Sequence, residues 1–129
     1  MRFALMLVLT AAMSCQADET VRAYGASDRV WVLSELGGQP FSARATLQFP
    51  EQGVISGRGP CNGFSGQMDV PYPWFKAGPL RATKRACAAL AEETRYFRAL
   101  AQMSTIEVLG EVMILSNDAG DKMVFKASE

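Results

Sequence analysis

Along Arg29–Leu36 apolar and polar positions alternate, with Val30, Val32 and Ser34 on one side and Trp31, Leu33 and Glu35 on the other. A period of two predicts a β-strand. Gly37-Gly38 ends it with a turn. Ala45, Leu47 and Phe49 share one face of a second strand, and Val54–Gly57 begins a third. Cys61–Val70 reads as a glycine-interrupted fourth, with Phe64 and Met68 inward. Pro71 and Pro73 break it, and Trp74–Leu80 is a weaker fifth strand that can reach Thr83. The period then changes. Cys87–Met103 holds no Gly or Pro, and Leu90, Phe97, Leu100 and Ala101 recur at helical spacing. Glu92 and Glu93 early and Arg95 and Arg98 later suit the helix dipole. Three short strands follow, over 105–109, 112–116 and 122–126, the last two joined by Asn117-Asp118-Ala119-Gly120, a hairpin turn. Strands, one helix, then strands predict an α+β domain. Its mostly antiparallel sheet, of about eight strands, is strongly twisted or partly closed into a small barrel, with the helix near residues 87–103.

The N-terminus has a different pattern. Arg2 precedes an apolar run from Phe3 to Ala12 without polar alternation. A bilayer span needs about 20 apolar residues, and this run is too short. It reads as a signal peptide over residues 1–14. Ala12-Met13-Ser14-Cys15 resembles the lipobox of bacterial lipoproteins, although Leu is usual where Ala12 stands. The resemblance implies cleavage before Cys15 and acylation of its thiol. Gln16, a residue other than Asp, then implies the outer membrane, with the protein facing the periplasm. Cleavage by the ordinary signal peptidase, for instance after Ala17, would leave a soluble periplasmic protein. Residues 15–28 are small and polar and read as a tether, with the domain at 29–129.

Composition narrows the chemistry. The chain is 49% hydrophobic and 20% charged, as expected of a globular domain. Thirteen basic residues balance thirteen acidic ones, so no basic face is evident for nucleic acid. No histidine is present. That removes Ser–His and Cys–His catalysis and the commonest metal ligand. No metal or other cofactor is expected, and none of the residues reads as catalytic. The glycines do not follow phosphate-loop spacing. Three cysteines is an odd count: with Cys15 acylated, Cys61 and Cys87 remain. In an oxidising compartment they are expected to form a disulfide. Two buried free thiols or a redox pair are the alternatives.

Several blocks together resemble a known family. Trp31 to Gly38 is similar to the Trp-x-Leu opening of META domains. Ser56-Gly57, followed by Cys61-Asn62-Gly63-Phe64-Ser65-Gly66, resembles their Ser-Gly…Cys-Asn-x-Phe-x-Gly signature, and Thr83 to Cys87 their Thr-x-x-x-Cys block. Glu93, Phe97 and Leu100 fall where the family carries an acid, an aromatic and a leucine. The resemblance covers residues 30–127 and extends to the HslJ-like bacterial lipoproteins, named for heat shock. It implies a small barrel-like α+β domain without established enzymatic activity.

Physically, Trp31 and Phe64 are expected in the core, and Gly57, Gly59, Gly63 and Gly66 at bulges or close strand approaches. Asn62 either braces a turn or meets a ligand. Thr83 is placed to brace the junction before the helix. Arg58, Arg81, Lys84 and Arg85 form a solvated rim or an anion or lipid-headgroup contact. Tyr72, Trp74 and Phe75 form either a lid on the sheet or a contact surface. The leading expectation is a non-catalytic, monomeric envelope module that supports envelope integrity or stress tolerance. It would act by binding an unidentified envelope protein, held at the membrane by its anchor. The alternatives are a carrier of a lipid or other hydrophobic ligand and, behind it, a thiol-redox protein.

Overall fold

The structure, a computed structural model, describes residues 17–128. The expected signal peptide and Cys15 lie outside the described residues. Nine strands, β1 (Val30–Leu36), β2 (Gln39–Pro40), β3 (Thr46–Glu51), β4 (Gly53–Arg58), β5 (Gly63–Met68), β6 (Arg81–Ala82), β7 (Thr105–Leu109), β8 (Val112–Ser116) and β9 (Lys122–Ser128), and one helix, α1 (Leu90–Gln102), make up the domain. All strand pairs are antiparallel. The order is β6-β5-β4-β3-β1-β9-β8-β7, with β2 folded back on β1. Two runs of consecutive strands thus meet at β1, and the sheet is open between β6 and β7. The domain is α+β, as the pattern predicts.

Alternation decides which faces are buried. Leu47, Phe49, Ile55, Phe64, Met68, Met113, Leu115, Met123 and Phe125 all point into one core. Each such side chain contributes about 1.5–3 kcal/mol. In β1 the period slips: Trp31 and Leu33 are buried, then Leu36 rather than Glu35. The register shift between Leu33 and Glu35 marks a bulge that re-aims the strand end. Gly37 and Gly38, with φ of 62° and 79°, turn β1 tightly into β2.

Three expectations change. The inward face of α1 is Glu93, Tyr96, Ala99 and Leu100, whereas Leu90 and Ala101 are exposed and Phe97 is half-buried. Two polar anchors rotate the helix this way: the Glu93 carboxylate and the Tyr96 hydroxyl both bond inward. Second, residues 74–80 are not a strand. Trp74 makes one bridge to Thr105, and only Arg81–Ala82 pair with β5. Segment 71–75, whose Tyr72–Pro73 peptide is cis, instead lies along the outer edge of β7. There the Ile106 amide donates to the Pro73 carbonyl at 2.8 Å and the Phe75 amide to the Ser104 carbonyl at 2.9 Å.

Third, the stretch read as a tether is folded from Asp18 onward. Val21–Tyr24 form a 3-10 helix closed by Gly25 at φ 105°. Val21 and Ala26 are fully buried, and the Ala26 carbonyl accepts the Trp31 indole N–H at 3.0 Å. Single apolar residues in a polar stretch carry no period, so only packing shows their role.

Candidate functional site

The signature residues converge where the β4–β5 loop meets the start of α1. Asn62 immediately precedes β5 at a buried position, and Glu93, in the first turns of α1, faces it. Glu93 Oε1 accepts the backbone amides of Cys61 at 3.0 Å and Asn62 at 2.7 Å, and Oε2 accepts Asn62 Nδ2 at 2.7 Å. Asn62 Nδ2 also donates to the Arg85 carbonyl at 2.9 Å. Asn62 Oδ1 accepts the Thr83 hydroxyl at 2.9 Å and the Arg85 amide at 2.6 Å. A buried carboxylate is costly unless hydrogen bonds satisfy it, and three amide N–H groups do so here. The helix N-terminus adds a favourable field.

Two glycines make the approach possible. A Cβ on Gly59 would lie 2.5 Å from Glu93 Oε1, and one on Gly57 only 2.1 Å from the Thr46 carbonyl oxygen. That carbonyl accepts the Tyr96 hydroxyl at 2.8 Å. Burial pushes the Tyr96 phenol well above its ordinary 10.0, so it stays a protonated donor. The Cys61–Cys87 disulfide, with Cα atoms 5.6 Å apart, clamps the loop to the segment leading into α1.

The other expected residues fall in different places. Trp31 and Phe64 are core. Phe64 packs edge-on against Tyr96 and Phe97, with centroids 5.8 and 5.2 Å away. Gly66 lies beneath Leu80 and Pro79. Asn62 has all four hydrogen-bonding positions occupied within the protein, which leaves its side chain nothing for a ligand. Arg58, Arg81, Lys84 and Arg85 are exposed around this end. The aromatic loop divides: Phe75 is buried and Tyr72 stacks on Tyr24 with centroids 4.3 Å apart, while Trp74 is 56% exposed. As a contact surface, therefore, Phe75 is excluded and Trp74 remains.

Sequence reasoning saw Glu93 only as a dipole partner and a family position, and missed Gly59, Thr46 and Tyr96 as parts of one assembly. Apart from its family position, the signal for Glu93 is an acid in the first turns of a helix, which surface helices share. Among the described residues no group of three His, Cys, Asp or Glu is placed to hold a metal ion, and no helix is long and apolar enough to cross a membrane. An open cleft of about 470 Å3 runs over the outer side of β4 and β5 between Val54, Gln67, Leu80 and Arg81. It contains none of the network.

Solved structures share the fold. An NMR structure of a protein from Burkholderia xenovorans matches with a TM-score of 0.64 at 22% identity, covering 95% of this chain and 99% of that one. A crystal structure of a DUF4847 family protein from Bacteroides vulgatus gives 0.65 at 12% identity, over 82% of this chain and 96% of that one. No curated protein matches the chain. The META domain model matches residues 25–129, a span that holds the buried Asn62–Glu93 network and the disulfide; the chain belongs to the META domain family.

Proposed function

We propose that the protein is a non-catalytic envelope module that supports envelope integrity or stress tolerance by binding a partner through its surface. One observation carries the reading: the residues that mark the family are spent on holding the domain together. Asn62 and Glu93 are about 96–97% buried and bonded to each other and to backbone. Trp31 and Phe64 are core, and Cys61 and Cys87 are joined. Recognition then falls to the surface around this frame. The leader and lipobox support an envelope location. A lipid carrier is less favoured, because Phe64, Tyr96 and Phe97 fill the space between helix and sheet where an acyl chain would lie.

The test is genetic. A deletion strain is assayed for dye uptake and detergent sensitivity at normal and raised temperature. Increased leakage, reversed by the wild-type chain, is the expected result. An intact envelope at both temperatures, or turnover of a defined substrate by the purified protein, would overturn the reading.

A further inference from the structure

We infer that the edge formed by Tyr24, Tyr72, Trp74 and Leu109 rests on the lipid–water interface of the membrane that holds the anchor. The inference rests on the proposed acylation of Cys15. Its geometric basis is where the first described residues lie. The Tyr72 amide donates to the Glu19 carbonyl at 2.7 Å, and Asp18 is pinned by the Thr20 amide at 2.9 Å and by Arg22 at 3.5 Å. From Cys15 to Glu19 is four residues, at most about 14 Å fully extended. A small domain is about 30 Å across. A lipid at Cys15 therefore cannot let the domain turn its far side to the bilayer; the edge beside Glu19 stays at the membrane.

That edge has the matching chemistry. Tyr24 and Leu109 are 53% and 57% exposed, and Trp74 lies two residues from Tyr72. Tyr72 stacks on Tyr24, and its hydroxyl accepts the Val108 amide at 3.4 Å, next to Leu109. Tyr and Trp rings belong at headgroup depth, where one end is apolar and the other wet. The exposed charges nearby are of both signs, with Glu19 and Glu107 against Arg29, which donates to the Gly110 carbonyl at 3.0 Å, so the attraction is apolar rather than electrostatic. The basic rim at Arg58, Lys84 and Arg85 would dock by charge, and salt would weaken it.

Trp31 is fully buried, so acrylamide reads Trp74. With Cys61 and Cys87 bonded, Cys15 is the remaining cysteine of the three in the sequence. The chain starting at Cys15 is coupled through that residue's thiol to maleimide-lipid in phosphatidylethanolamine–phosphatidylglycerol vesicles. Acrylamide quenching is expected to fall severalfold relative to the uncoupled chain, at low and high salt alike, and brominated lipid should quench. Trp74→Phe should remove both signals. In parallel, the native protein is extracted and weighed intact. Acyl mass with Trp74 shielded supports the inference. Acyl mass with Trp74 still open to acrylamide leaves the anchor and overturns the membrane-facing edge, as does shielding lost in salt. An unacylated native mass overturns both.

Discussion

Asn62 has two acceptor and two donor positions, and the protein fills all four. Asn62→Asp keeps the shape and turns two donors into acceptors, aimed at the Arg85 carbonyl and the Glu93 carboxylate. We expect a loss of about 3–5 kcal/mol in urea unfolding, the scale of an uncompensated buried charge. Full stability in this variant would mean that the network is not structural. Tyr96 allows a test by pH. Its folded phenol titrates above the ordinary 10.0 because burial disfavours the anion. The unfolded state therefore loses its proton first as pH rises. Stability from this group is complete below the ordinary value and is lost as pH climbs past it toward the folded value. Tyr96→Phe should begin about 1–3 kcal/mol less stable, since the Thr46 carbonyl loses its donor. It should also fall less steeply in alkali; parallel profiles would contradict the assignment. Sequence pattern could place Asn62 and Thr83 in one neighbourhood, because both stand in cysteine-bearing blocks. It could not show that Glu93 points inward, since hydropathy counts a carboxylate as polar whether water or amides surround it.

Among the elements, the strands were the most legible. Ala45, Leu47 and Phe49 alternate without interruption and are buried as their pattern requires. The helix was found, but its face only in part: Leu100 and Phe97 face the core as the spacing requires, Leu90 and Ala101 fit the spacing yet are exposed, and Tyr96 and Glu93 are fixed by partners on other elements. Residues 74–80 looked strand-like because Trp74, Phe75 and Leu80 are apolar, yet Pro73 and Pro79 limit ladder pairing. Only its first residues, following Pro73, lie along the edge of β7 and blunt it, whereas the Gly78 amide donates to the Gln67 carbonyl of β5. The disulfide acts at this level too, clamping a loop to the approach of α1 over a separation of 26 residues. Replacing Cys61 and Cys87 with Ser should cost about 3–4 kcal/mol and lower the melting temperature by roughly 15 °C. The proposed envelope function should persist in cells grown well below the new midpoint. Function lost with the melting temperature unchanged would instead favour thiol chemistry.

For the whole molecule, the folded unit reaches further toward the N-terminus than hydropathy suggests. Removing everything before Arg29 would uncover the site of Val21, worth about 1.5–3 kcal/mol. It would also leave the buried Trp31 indole without the Ala26 carbonyl, at about 1–3 kcal/mol more. The shortened chain should unfold at markedly lower urea than one starting at Ala17, and equal midpoints would show that the segment is dispensable.

The central pairing has a consequence in time. β1 is bordered by β3 on one side and by β9 on the other, with Val30 opposite Ser128. Of the nine strands, β9 is the last to leave the ribosome. Until it does, the Trp31 strand has a bare edge and the β7–β8 hairpin has nothing to join. A nascent chain of this topology cannot settle early into its final form. The export proposed above would thread the chain unfolded through a narrow translocation pore, and such a delay would suit it.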